Sequence, residues 1–240
     1  MSPTVFAVQH VLIPTLKMMG VNIDLTVEKH GYFPDVVGKL TATVGSLSEE
    51  PNTLQAISLL ERGADALTKI VIYVKPSGAA SQEYYQETFK PQLIKTLVKM
   101  GKIKKNQLEF VEEDIDENIP QQSKAQTLSV SAVLTYPNHT LLHCSALVES
   151  NKELHHPQKD YAEELAMNIV TLAQQNEVVV DEHFTDQLLV YMVLAVGTSQ
   201  MRVQKPLSLH TQTMLVLLPM FREDLNIEVE EQAESVVVTV

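Results

Sequence analysis

Asp181–Phe221, DEHFTDQLLVYMVLAVGTSQMRVQKPLSLHTQTMLVLLPMF, is the stretch whose reading decides the fold. It divides into helix, strand and helix. Asp181 is an N-cap type of residue, because its short side chain can accept from the first free backbone N–H groups of a helix. From there a helix is expected to about Ala195. Phe184, Leu188, Met192 and Ala195 recur at helical spacing and should face a core. His183, Asp186 and Gln187 follow an i, i+3, i+4 pattern on another face, so one helix presents a ring, a carboxylate and an amide side by side. Gly197 ends it. A short strand at about Pro206–Leu209 should deliver His210, with Thr211 capping a second helix that Pro219 ends or kinks early.

His210 stands out because it is placed where a strand gives way to a helix. A helix N-terminus offers free N–H groups and a positive dipole end, which favour an anion. A neutral imidazole there can attack phosphorus. A histidine that only hydrogen-bonds its own turn would have the same spacing, so the pattern alone leaves both readings open.

Further motifs narrow the choice. DEHFTDQ at Asp181–Gln187, continued through Leu188–Ala195, resembles the closing motif of the RNA 3'-terminal phosphate cyclase family. LHTQT at Leu209–Thr213 is similar to that family's active-site histidine motif, at the matching distance. Lys29–Pro34, KHGYFP, resembles its Arg-Gly-Tyr-Tyr-Pro turn. The resemblance implies conversion of an RNA 3'-phosphate to a 2',3'-cyclic phosphate with ATP and Mg2+. It makes His210 the nucleophile, adenylylated in passing, and puts His183, Asp186 and Gln187 beside the adenylate. Asp186 would orient His210 or meet a magnesium ion. No residue is assigned as a dedicated metal ligand. The implied partners are RNA 3'-phosphate ends and ATP, and the implied location is the nucleus or the cytoplasm.

Three departures qualify the match. The family pattern begins further upstream, with a glycine-rich start and several arginines that have no counterpart here. The glycine run that follows the family turn is reduced to Asp35-Val36-Val37-Gly38-Lys39. The family's glycine-rich stretch before the last helix of its inserted domain is replaced by Glu149–Pro157. The nucleophile is kept while much of its setting is altered, as in a truncated product or a diverging copy. The alternative to a cyclase is therefore a non-catalytic cyclase-like factor in RNA processing or ribosome assembly. An enolpyruvyl transferase ranks lower, resting on fold analogy alone.

Composition sets the outer bounds. A chain of 240 residues, 45% of them hydrophobic, can fill one large core or two small ones. No apolar run reaches the roughly 18 residues of a membrane span. The first residues lack the pattern of a secretory signal, so secretion is not expected. The single cysteine, Cys144, lies in an apolar stretch and reads as core. A net charge of −12 disfavours a broad nucleic-acid surface, so any RNA site must be a local cluster.

Along the chain, residues 5–19 read as a helix with Val8, Val11, Leu12, Thr15 and Leu16 inward. Alternation predicts strands over 21–29 and 39–44. The polar run 45–56 looks like a boundary. Beyond it come a strand at Lys69–Lys75, a helix from Ser81 to about Met100 ended by Gly101, and a strand at Gln107–Glu113. A hairpin Gln126–Tyr136/Thr140–Val148 turns at Pro137-Asn138. A helix from Pro157 to about Gln175 places Tyr161, Leu165, Asn168 and Leu172 at helical intervals. Asn226–Glu230 and Ser235–Val240 close the chain as a hairpin. The expected fold class is α+β: a cyclase-type large domain of repeated sheet–helix units, incomplete, in 1–54 and 181–240, with a small α+β domain inserted at 55–180. An incomplete repeat would leave an apolar face uncovered and favour a homodimer.

Overall fold

The structure, a computed structural model, describes residues 3–32, 36–46, 53–63, 67–101, 103–115, 126–149, 154, 159–222 and 224–240. Phe33 and Pro34 of the KHGYFP turn, Asp35, and most of Glu149–Pro157, with His155 and His156, lie outside these residues.

Two cores organise an α+β chain. In the first, strands β5 (Lys69–Pro76), β6 (Leu108–Glu112), β7 (Leu128–Thr135) and β8 (Leu141–Val148) form a sheet of order β6-β5-β7-β8. Ile70, Ile72, Val74, Val130, Ala132 and Leu134 alternate along β5 and β7 and are all buried on one face. A long helix α2 covers that face, made of Ala79–Tyr84, a π turn at Tyr85–Phe89 and Lys90–Lys99. Helix α3 (Tyr161–Gln174) lies beside it. Gly101, at φ +74°, takes the left-handed conformation just past the end of α2. Cys144 is buried in this core as expected. In α3 the cap is Asp160, whose carboxylate accepts from the Glu163 N–H at 2.9 Å. Of the residues at helical intervals Leu165 and Leu172 are buried and Asn168 is exposed, and Ala162, Ala166, Ile169 and Val170 complete the buried face.

The second core joins the two ends of the chain. Helix α1 begins at Val5–Ala7, opens into a π turn at Val8–Leu12 and closes over Ile13–Met18. The Ile13 N–H reaches back to the Val8 carbonyl, and the wider turn falls just before Pro14, which has no N–H to donate. Val11, Thr15 and Leu16 are buried as expected, whereas Val8 and Leu12 are only half-buried. Strands β1 (Ile23–Lys29) and β2 (Lys39–Val44) pair as an antiparallel hairpin, and β2 is exposed throughout. The short strands β3 (Leu54–Gln55) and β4 (Ser58–Leu59) follow. They pair in parallel with β9 (Ala195–Val196) and β10 (Gln200–Gln204), so residues beyond the expected boundary at 54/55 join the C-terminal sheet. That sheet has the order β11-β12-β10-β4, with β11 (Glu228–Glu231) and β12 (Ser235–Thr239) as the closing hairpin. Helices α4 (Glu182–Leu194) and α5 (Leu209–Phe221) complete this part.

The cores are not separate bodies. The far face of the β5–β7 sheet meets α1: Thr4 and Ser131 share a hydrogen bond at 2.7 Å, and the His10 and Tyr73 rings stack at 3.9 Å. Arg62, in the link from β4 to β5, is 5% exposed. It donates to the carbonyls of Val178 and Leu172 and to the Tyr136 hydroxyl. One guanidinium thereby ties together both ends of the segment that runs between the cores.

Apolar side chains are exposed on α5 and on the neighbouring end of α4 and β9. Met220 and Phe221 are 74% and 86% exposed, and Leu209, Val216, Leu194 and Val196 are exposed with them. Among the described residues no helix is long and apolar enough to cross a membrane.

Candidate functional site

Helix α4 forms where the sequence placed it. Asp181 is its cap, with Oδ1 accepting from the His183 N–H at 3.0 Å. Phe184, Leu188 and Met192 are buried on the core side, whereas Ala195 already belongs to β9. His183, Asp186 and Gln187 are half-buried on the opposite side.

The approach to His210 differs from expectation. The strand is Gln200–Gln204, and Pro206–Leu209 is not a strand. Ser208 rather than Thr211 caps α5, its Oγ accepting from the Thr211 N–H at 3.1 Å. Both residues are cap types. Ser208 wins because Leu209 and His210 already take helical geometry, which buries Thr211 one turn inside. His210 is therefore in the first turn of the helix and exposed. The helix also runs through Pro219 to Phe221, so the proline does not end it. Arg222 follows, donating to the Val193 carbonyl and pairing with Asp224 at 3.1 Å.

Both helices bring their first turns to one place. His183, Asp186, Gln187 and His210 all line a single cavity of about 610 Å3, together with Pro3, Glu182 and Ser208. At the other end, Arg222 reaches the last turn of α4. The two helices thus run side by side in one direction, with both N-termini at the cavity. Two positive dipole ends favour a bound anion there, although the His183 and Thr211 N–H groups are already taken by the caps Asp181 and Ser208. The side chains differ in what they leave available. Gln187 donates its amide to the His183 carbonyl at 2.8 Å and keeps its own oxygen as an acceptor. The His183 ring lies 3.8 Å from the Glu182 carboxylate, which also accepts from Gln204 at 2.9 Å. Asp186 has no ion pair or hydrogen bond to another described residue.

Three lining groups were not singled out from sequence: Glu182, Ser208 and Pro3. A serine before an apolar run is a cap signal and was legible; the approach of Pro3 was not. No group of three His, Cys, Asp or Glu side chains suited to a metal occurs among the described residues.

Asp181 does more than cap. Its Oδ2 accepts the backbone N–H of His143 at 3.0 Å. Burial pushes its carboxyl up to about 7, against the downward pull of the N–H groups it accepts. The His143 ring, packed edge-on to Phe184 at 6.3 Å, is driven down to about 3 by its burial and then by His183.

An α+β chain with a histidine in the first turn of the second of two parallel helices has a family match. The profile of the RNA 3'-terminal phosphate cyclase family covers residues 1–226, and the chain belongs to that family. A probable RNA 3'-terminal phosphate cyclase of Dictyostelium discoideum is 24% identical over 214 residues, 89% of this chain and 46% of the relative. An RNA 3'-terminal phosphate cyclase of Drosophila melanogaster is 25% identical over 217 residues, 89% of this chain and 54% of the relative. The chain spans about half the length of the curated relatives it matches.

Proposed function

We infer that this chain carries the adenylylating site of an RNA 3'-terminal phosphate cyclase, with His210 as nucleophile. The observation that supports this most is the convergence of His183, Asp186, Gln187 and His210 on one cavity at two helix N-termini. A nitrogen of the His210 imidazole attacks the α-phosphorus of ATP. A P–N bond forms, the bond to the bridging oxygen breaks, and pyrophosphate leaves. The 3'-phosphate of an RNA end then takes the adenylyl group from His210. The adjacent 2'-hydroxyl attacks the 3'-phosphorus, giving its proton to solvent, and AMP departs as the ring closes. Helix N–H groups stabilise the phosphate charge that builds up at each step. His183 and the Gln187 oxygen hold the adenylate, and the Asp186 carboxylate, which makes no bond to His210, is left to face the phosphates and their ion.

Magnesium fits the cavity in the mode where one or two carboxylates share the ion with substrate phosphates. Glu182 and Asp186, one helical turn apart, are the residues that would hold it. When bound, the ion neutralises phosphate charge.

The test is incubation of the purified chain with α-labelled ATP and magnesium. An acid-labile protein adduct is expected. His210→Ala should abolish it, and His183→Ala should only slow it. Label that survives His210→Ala would assign the chemistry to another residue. No label under any condition would place the chain with the non-catalytic cyclase-like factors.

A further inference from the structure

A second, larger cavity of about 710 Å3 opens between the β1–β2 hairpin, the start of α1 and the β7–β8 end of the inserted sheet. Thr4, Val5 and Phe6 line it, whereas Pro3 lines the His210 cavity. Consecutive Cα atoms are about 3.8 Å apart, so the two cavities flank one short piece of backbone. Both cavities therefore border the N-terminal segment Pro3–Phe6.

The walls of the second cavity have a distinct chemistry. Val5, Val27, Leu40 and Leu147 make apolar surface. Aromatic rings adjoin it: the His30 centroid lies 5.9 Å from Phe6 and 6.4 Å from Tyr32. Hydroxyl groups come from Thr127, just before β7, and Ser129 on it. Among the described residues the charged lining is Lys29, Lys75 and Glu149. Acids outnumber bases 30 to 18 over the whole chain, whereas here Lys75 is compensated by Glu113 and Lys29 is left as an available cation. Glu113 stands behind the wall, 2.9 Å from His30 and 3.8 Å from Lys75, and fixes both. Lys29 has no ion pair with a described residue and is exposed at the mouth.

Apolar walls with aromatic rings, hydroxyl partners and a cation at the rim suit a base, a ribose and a phosphate. We propose that this cavity is a ribonucleotide subsite that takes a nucleotide of the RNA strand upstream of the end held in the His210 cavity. This rests on the cyclase reading for its substrate. It also explains how so acidic a chain can grip RNA, through a short local contact instead of a basic surface.

The test is a length series of 3'-phosphorylated oligoribonucleotides, from one to eight residues, bound to the full chain and followed by fluorescence anisotropy at fixed salt. Affinity should rise at least about tenfold from the mononucleotide to the tetranucleotide, as one stacked base contributes. Removing the base at one upstream position should return most of that gain. Lys29→Glu, and Ser129→Phe to fill the cavity, should each flatten the series. Lys99→Glu, the same charge change on α2, should leave it steep. Lys29→Glu is a surface change, so it reports even if Ser129→Phe does not fold. A flat series in the unaltered chain, or a steep one in Lys29→Glu, overturns the proposal. So does competition at this cavity by free adenosine nucleotides without any length dependence, which would assign it to a mononucleotide. Adduct formation with ATP is read separately. His210→Ala should lose the adduct and keep the steep series, so failure of the chemistry and failure of the subsite are distinguishable.

Discussion

The carboxylate of Asp181 holds the backbone N–H of His143 at 3.0 Å with one oxygen and that of His183 at 3.0 Å with the other. β8 is an edge strand of its sheet, and His143 would otherwise leave a buried N–H without a partner. The same side chain that starts the site helix α4 therefore covers a sheet edge and sets where that helix begins.

Asp181→Ala should cost roughly 2–4 kcal/mol, the sum of a lost cap and an unsatisfied buried N–H. Asp181→Asn should cost less, since one amide oxygen can serve only part of this pair. Urea unfolding of the three proteins checks the order. Equal midpoints for Asp181→Ala and the parent would refute the double role.

The pair also sets a pH dependence. Asp181 is raised to about 7, so between pH 4 and 7 the folded chain holds a proton that the unfolded chain has released, and stability falls as pH rises through that window. His143 is lowered to about 3, so the unfolded chain binds a proton that the folded one refuses; stability falls as pH drops from 6.5 to 3. The two slopes oppose each other where the windows overlap. His143→Leu should therefore make stability decline more steeply from pH 4 to 7 than in the parent. Asp181→Asn should steepen the loss below pH 6.5. Unfolding midpoints at half-unit pH intervals decide, and parallel curves for all three proteins would contradict the assignment.

Arg62 is expected to be among the costliest residues to truncate. Arg62→Ala strands two carbonyls and the Tyr136 hydroxyl, and removes a guanidinium 4.6 Å from the Tyr136 ring centroid. A loss of about 2–4 kcal/mol follows from the unsatisfied groups. Arg62→Lys should recover only part of it, because an ammonium cannot span three acceptors in a fork. Thermal unfolding and amide exchange near Val178 measure both.

The apolar end of α5 should drive self-association. Phe221→Glu with Val216→Lys is expected to weaken any homodimer at least about tenfold, as losing a central aromatic anchor does. Sedimentation over a concentration series reads it. A parent chain that stays monomeric at high concentration would remove the homodimer from consideration.

How much of this was legible in the sequence depended on distance along the chain. The α4 cap, its buried stripe and the His183–Asp186–Gln187 face were readable because capping and helical periodicity act within a few residues. The start of α5 was misplaced by three residues because Ser208 and Thr211 are both good caps, and only the bonding in the folded chain chooses between them. β3 and β4 are two residues each, too short for any alternation to show, and exist because C-terminal strands pair with them.

The sequence by itself determined an α+β chain, the two helices around a histidine and the family motifs they carry, because these are local patterns of cap, period and residue type. Only the tertiary structure decided that the helices are parallel with both N-termini at one cavity. It also decided that Asp181 reaches His143, 38 residues away, and that Arg62 reaches the Val178 carbonyl, 116 residues away. Such partners are chosen by which buried polar groups would otherwise go unsatisfied once the two cores close, and that is a property of the packed chain and not of any stretch of it.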